Sequence, residues 1–165
     1  MEVVSLGPQP WLSIGYTSSE DLVAGQVNGA LALVYALASE LGVPVAGSPL
    51  SRFSDRNGPS FRTESGFPLR ESVDLSAWPL ATLAGRCSVA GYGPLRQQLL
   101  PATKAITTLH RGPYATLAVA HRTLRSWGRD NDFEFYGGPW EVYVSDPLMA
   151  SDPRTLETRL YQPIL

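Results

Sequence analysis

Cysteine is nearly absent from this chain. Cys87 stands alone among 165 residues, which excludes an internal disulfide and a cysteine-rich zinc site. Lysine is equally scarce: 12 of the 13 basic residues are arginine, Lys104 is the exception, and the formal net charge is −2. Without a basic excess, direct nucleic-acid binding is not expected. No long apolar run occurs either. The longest, residues 30–41, is interrupted by Ser39 and Glu40 and is too short to span a bilayer. The opening MEVV lacks the basic start and apolar stretch of a signal peptide. These absences point to a cytoplasmic protein, monomer or dimer, with no membrane partner. Only two histidines are present, His110 and His121. No carboxylate lies at metal-ligand spacing from either, so no metal and no cofactor is expected. His110 reads as the end of a strand, His121 as the flank of a helical stripe. Neither a G-x-S-x-G elbow nor a Walker loop appears. The arginines Arg122, Arg125 and Arg129 read as a solvated helix face. Asp130-Asn131-Asp132 lacks the further ligands of a calcium loop.

What is present is enough for a folded core. Apolar residues make up 44% of the chain and charged residues 17%. Gly and Pro total 29 (15 + 14), as expected of short elements joined by many turns. The segment SDRNGPS (54–60) reads as one such turn, and GYGPL (91–95) as another.

The chain carries one pattern twice. AGSPLSRFSD (46–55) aligns with YGGPWEVYVSD (136–146). Gly47 and Gly137, Pro49 and Pro139, and Phe53 and Tyr143 share an offset of 90 (137 − 47). The offset becomes 91 at Asp55 and Asp146, and 95 at Pro68 and Pro163, a drift that loops absorb cheaply. A helix precedes each copy. The first is predicted over about residues 20–41, with Ser18 and Asp21 resembling a capping box and Gly42 and Pro44 stopping it. Leu22, Val23, Val27, Ala30, Leu31, Val34, Leu37, Ala38 and Leu41 follow helical spacing. Gly25 and Gly29 are read as concessions to close packing. The second helix is predicted to start at Pro113 and to end at Gly128 with Asp130 and Asn131. Its stripe is Leu117, Ala120, Leu124 and Trp127. Before the helices stand the β-type runs WLSIGY (11–16) and AITTL (105–109). Each half is therefore strand, helix, strand, strand. The expected architecture is α+β: a tandem duplication of a β-α-β-β unit, a mostly antiparallel sheet with helices on one side, and a central cleft. One domain over residues 1–165 would hold two repeats, about 8–71 and 101–165, joined by a linker of about 72–100. A further strand is expected in the linker around 83–89.

HRGPY (110–114), a helix, GGPWEVYVSDP (137–147) and LETRLYQPI (156–164), in that order, resemble the GyrI-like small-molecule-binding domains, which also serve as effector-binding modules of drug-sensing transcription regulators. The resemblance is best over 100–165. It implies a ligand cleft between the repeats with Glu141 at its floor, ringed by aromatics that favour flat, hydrophobic, often cationic ligands such as drugs or toxins. It also implies an alternative, since some standalone members hydrolyse electrophilic cyclopropane-bearing toxins and so confer resistance. In that case Glu141 would be the acid–base residue and Tyr114 its hydroxyl partner. A third implication is an inhibitory module for a protein partner, as in the gyrase inhibition of the founding member. The first copy departs from the pattern: Ser51 stands where the second has Glu141.

Strand alternation places Trp140, Val142 and Val144 on one face and Glu141, Tyr143 and Ser145 on the other. The apolar set is expected under the helices, with Glu141 on an open concave face and Ser51 and Phe53 pointing the same way. A carboxylate walled by rings is poorly solvated, which disfavours its charged form. Alternation alone equally permits Glu141 to face solvent. The candidate walls are Tyr143, Tyr114, Tyr161, Trp11, Trp140 and Phe53, each of which also has an ordinary reading as core packing. Trp140 is the least consistent, because alternation turns it away from Glu141. Trp78 and Trp127 read as core or interface.

Overall fold

The computed structural model describes residues 1–54, 58–146 and 150–165. The β-branched and aromatic runs become strands, and the runs spaced at three and four become helices. The order is β1 (Glu2–Leu6), β2 (Gln9–Ser18), α1 (Val23–Glu40), β3 (Leu50–Phe53), β4 (Phe61–Pro68), α2 (Leu80–Val89), β5 (Arg96–Leu100), β6 (Thr103–Arg111), α3 (Leu117–Asp130), β7 (Trp140–Tyr143) and β8 (Glu157–Ile164). Short 3-10 turns at Tyr114–Thr116 and Pro153–Thr155 precede α3 and β8. No helix among the described residues is long and apolar enough to cross a membrane. The turn expected at 54–60 lies partly outside the described residues, as do Asp55 and Pro147.

Among the described residues all strand pairings are antiparallel, in a single eight-stranded sheet ordered β1-β6-β8-β7-β3-β4-β2-β5. The duplication is visible in this order. The unit β2-α1-β3-β4 meets the unit β6-α3-β7-β8 through β3 and β7, with Ser51 opposite Glu141. Two hydrogen bonds repeat about that point: Phe53 N donates to Pro139 O and Tyr143 N to Pro49 O, both at 3.0 Å. The outer strands are exchanged. β1 runs into the first unit yet pairs with β6, and β5 runs into the second yet pairs with β2.

That exchange makes the sheet curl. In a flat sheet β1 and β2 would stand six strand spacings apart, about 29 Å. Three residue steps from Leu6 to Gln9 reach at most about 11 Å. The apolar packing agrees, because Leu100 from one edge and Leu6 from the other join Trp11, Leu50 and Trp140 in one cluster on the helix-free face.

The helices cover the opposite face. Leu12, Ile14 and Tyr16 pack with Val27, Ala30, Val34 and Leu37 of α1 and with Leu83 and Cys87 of α2. Ile106, Leu160 and Ile164 pack with Leu117 and Leu124 of α3. The expected arrangement of faces is therefore reversed. Trp140 and Val142 lie away from the helices, whereas Glu141 and Tyr143 lie beneath them.

Three local expectations are also corrected. Residues 83–89 belong to α2, not to a strand; Leu83 and Cys87, one helical turn apart, are its buried pair. Ser18 and Asp21 form no capping box: α1 starts at Val23, its first turn hangs on the Ser19 carbonyl, and the Ser18 hydroxyl donates to the Gln26 side chain. Pro113 is extended (ψ 152°) and stands outside α3, which follows the 3-10 turn. The expected end of α3 holds: the helix stops at Asp130 with Asn131 as its cap, and Gly128 lies in the last turn, its carbonyl accepting from Phe133 N. A side chain there would meet Phe135 at 2.7 Å and Ile106 at 2.8 Å, so glycine is required by packing.

Candidate functional site

Glu141 sits at the centre of the pairing between the repeats, on the face that α3 covers. It is 4% exposed. A carboxylate so buried costs several kcal/mol unless it is paired and hydrogen-bonded. Both oxygens have partners. His121 Nε2, on α3, lies 2.7 Å from Oε1, and the Tyr143 hydroxyl donates to Oε2 at 2.8 Å.

The tyrosine extends this pairing into the first repeat. The Tyr143 hydroxyl also bonds Ser51, Ser51 Oγ lies 2.7 Å from Ser65 Oγ, and Ser65 Oγ lies 2.7 Å from the Tyr16 hydroxyl. Each hydroxyl has one proton to give. Because Tyr143 gives its proton to the carboxylate, Ser51 must donate to Tyr143, Ser65 to Ser51 and Tyr16 to Ser65. Every dipole in this row points towards Glu141, an arrangement in which the bonds polarise one another. Burial raises the Tyr143 pKa well above the ordinary tyrosine value, and the charge of Glu141 adds to that rise. Burial likewise raises that of Tyr16. Both hydroxyls therefore remain donors at neutral pH.

A cavity of about 300 Å³ opens above the acid, between α1 and the start of α3. This is at the small end of ligand-sized clefts, which begin at about 300 Å³. Glu141 and Tyr143 form part of its lining, with Val23, Val27 and Leu31 from α1 and Tyr114 and Leu117 opposite. The Tyr114 ring meets Tyr143 edge-on, centroids 5.7 Å apart. Burial raises the Tyr114 pKa, with further contributions from the charges of Glu141 and Asp146.

Of the residues singled out from sequence, the fold brings Glu141, Tyr143 and Tyr114 together at this cavity. Phe53 lies on the same face but does not line the cavity; its ring abuts His121 edge-on at 6.5 Å. Trp11, Trp140 and Tyr161 are not cavity walls. They lie on the helix-free face, where Tyr161 packs on Trp140 at 6.5 Å and Arg52 lies over the Trp140 ring. Register is the reason. Trp140 pairs with Tyr161, so the two share a face, while Glu141 pairs with Leu160 beneath α3.

Sequence reasoning missed His121 as a partner of the acid. A signal existed: Leu117, His121, Leu124 and Gly128 are the buried positions of α3, so the histidine occupies the stripe itself and not its flank. The α1 wall was missed as well, because its residues read as plain core. Among the described residues no group of three or more metal-ligating side chains occurs.

No protein-family model and no curated protein matches the chain. Solved structures do. EcmrR in its complex with DNA is 16% identical, with a TM-score of 0.73; the match covers 99% of this chain and 56% of EcmrR, so the chain spans little more than half of that protein. The C-terminal domain of EcmrR alone is 13% identical, with a TM-score of 0.70, and 96% of it is covered. A hydrolase encoded by lin2189 from Listeria innocua is 14% identical, with a TM-score of 0.65, covering 99% of this chain and 91% of that one. SAV2435, solved bound to tetraphenylphosphonium, is 10% identical, with a TM-score of 0.63, covering 99% and 93%. The chain thus has the fold of the GyrI-like small-molecule-binding domains.

Proposed function

We propose that this domain captures a small hydrophobic molecule, aromatic or cationic, in the cavity above Glu141. The observation that carries the reading is a buried carboxylate on the lining of an otherwise largely apolar cavity. Val23, Val27, Leu31 and Leu117 supply apolar surface, and Tyr114 and Tyr143 supply ring faces. A cation held against a ring gains about 0.5–2 kcal/mol per contact, and the carboxylate adds attraction that low dielectric strengthens. A neighbour in fold, SAV2435, was solved bound to tetraphenylphosphonium, a lipophilic cation carrying aromatic rings.

The test is calorimetric titration with tetraphenylphosphonium and with neutral triphenylphosphine oxide. Wild-type protein binds both, the cation more tightly. Glu141→Gln weakens the cation about tenfold, equivalent to about 1.4 kcal/mol, and leaves the neutral compound nearly unchanged. Failure of both compounds to bind, or equal affinities in wild type and Glu141→Gln, overturns the reading.

A second reading, hydrolysis of a strained electrophile, is favoured by one observation: His121 and Tyr143 hold the acid between them, as an orienting pair would. In it, Glu141 removes a proton from water as the water oxygen bonds to a cyclopropane carbon. The strained carbon–carbon bond opens, and Tyr114 returns a proton to the departing electron pair. Positioned acid–base help of this kind contributes about 10²–10⁴-fold. Incubation with a cyclopropane-bearing electrophile should then yield a product heavier by one water, and Glu141→Gln should abolish it. Binding without that product leaves capture as the function.

A further inference from the structure

We infer that the first repeat holds a second site, on the helix-free face, that takes the head group of a free α-amino acid. Ser13 and Gly15 alternate with Leu12 and Ile14, so they face away from the helices. With Arg62 and Glu64 of β4 and Arg96 and Gln98 of β5 they line a hollow of about 40 Å³. A water-sized group needs about 10–15 Å³ of such space, so the hollow holds about three non-hydrogen atoms. A side chain at Gly15 would meet Arg62 Nη2 at 2.8 Å, so glycine lets the guanidinium lie over the backbone there. Gly93 N donates to the Gly15 carbonyl at 2.8 Å and closes the hollow from β5's approach. The site lies on the face opposite Glu141 and is independent of the capture reading.

The fold leaves the charges here unanswered. Glu64 Oε2 is buried without a hydrogen-bond partner. Arg52, its cross-strand neighbour on β3, lies over the Trp140 ring instead. Among the described residues neither Arg62, Arg96 nor Glu64 enters an ion pair. The duplication supplies a comparison. The offset of 95 at Pro68 and Pro163 makes Glu157 and Arg159 the counterparts of Arg62 and Glu64 (157 − 62 = 95). Arg96, paired with Ser13, corresponds to Glu2, paired with Thr107. The sign is inverted at all three positions. In the second repeat Arg111 holds Glu157 at 3.0 Å. Its counterpart beside Arg62 is Thr17, so the bond that satisfies the second copy is missing from the first. A carboxylate oxygen at depth with two exposed guanidinium groups outside it suits a ligand whose ammonium adjoins a carboxylate. The ammonium donates to Glu64, and the ligand carboxylate accepts from Arg62 and Arg96. Such charge-assisted bonds are roughly twice as strong as neutral ones. Nitrogen, Cα and carboxyl carbon fill the hollow, and the side chain projects through its open side. An anion alone leaves Glu64 unanswered, and an amine alone meets two cations.

The experiment titrates the full, isotope-labelled chain with glycine, methylamine and acetate, read from backbone amide resonances. Glycine should move the Gly15 and Gly93 amides saturably, with a Kd of about 1 mM or tighter. Acetate and methylamine should each bind at least about tenfold more weakly, because each leaves one end of the site unpaired. Arg96→Gln and Glu64→Gln should each weaken glycine about tenfold or more. Arg159→Gln, at the counterpart of Glu64 in the second repeat, should leave glycine binding unchanged. No saturable shift up to about 20 mM glycine overturns the site. So does acetate or methylamine binding as tightly as glycine, or an unchanged affinity in Arg96→Gln. If Glu64→Gln does not fold, the exposed Arg96→Gln and the comparison with acetate decide. None of these outcomes bears on the cavity above Glu141, which tetraphenylphosphonium tests separately.

Discussion

Ser51 and Glu141 face each other across the β3–β7 pair, and each is the other's counterpart in the duplicated chain. The axis relating the two repeats therefore runs between a hydroxyl and a carboxylate. A symmetric ancestor with two acids would set like charges directly opposite each other, at about 4.5–5.5 Å between Cβ atoms. Serine removes that conflict and becomes the donor that connects Tyr143 with the first repeat.

Ser51→Glu restores the conflict. Ser51 is fully buried, so the added carboxylate has no room and no bulk water. The variant should lose about 3 kcal/mol or more. One of the two acids will be forced to hold a proton, so the deficit should shrink as pH falls towards about 4. Urea midpoints at neutral and acid pH measure both effects; a loss below about 1 kcal/mol at neutral pH would refute the axial geometry.

The helix glycines separate a packing requirement from its absence. A Cβ at Gly25 meets nothing within 4 Å, whereas one at Gly29 meets the Tyr92 hydroxyl at 2.5 Å. That hydroxyl donates to the Gln26 carbonyl. Gly25→Ala should stabilise by about 0.5–1 kcal/mol through helix propensity alone. Gly29→Ala should fall short of that by at least about 1 kcal/mol, because the tyrosine must move and its bond weakens. Thermal or urea unfolding of the two variants compares them directly. Both glycines read as packing sites in the sequence; only Gly29 is one.

Alkaline stability should report the buried hydroxyl row. The unfolded chain releases tyrosine protons from about pH 10, while burial holds those of Tyr16 and Tyr143 in the native state to higher pH. Above that point the native state binds more protons than the unfolded one, so stability falls as pH rises; below it these residues contribute no slope. Urea midpoints should begin to drop between about pH 10 and 11. Tyr16→Phe should drop less steeply, and tyrosinate absorbance should appear together with unfolding and not before it. Early ionisation in the folded protein would contradict the burial.

The aromatic residues should divide by face. Trp140→Ala opens a hole beside Trp11 and Leu50 and should cost about 3–5 kcal/mol of stability. Its affinity for tetraphenylphosphonium, measured where the variant remains folded, should match wild type. Tyr114→Ala, at a half-buried ring on the cavity wall, should do the reverse: a small stability loss and about tenfold weaker binding. Loss of affinity in Trp140→Ala would place the ligand on the other face.

Local pattern settled a good deal. The repeat offset of 90 between Pro49 and Pro139 announced two equivalent units. Period-two alternation put Glu141 and Tyr143 on one face and Trp140 on the other, because successive residues of a strand must point to opposite sides. What alternation does not decide is which side the helices cover. Both faces of β7 carry large rings, so hydrophobicity does not discriminate between them. The choice was made by the way the crossovers and exchanged outer strands curl the sheet around Trp11 and Trp140. The partner of the acid was decided in the same way. His121 and Glu141 are 20 residues apart on different elements, and only the seating of α3 on β6 and β8 brings an imidazole to a carboxylate that could not otherwise stay buried.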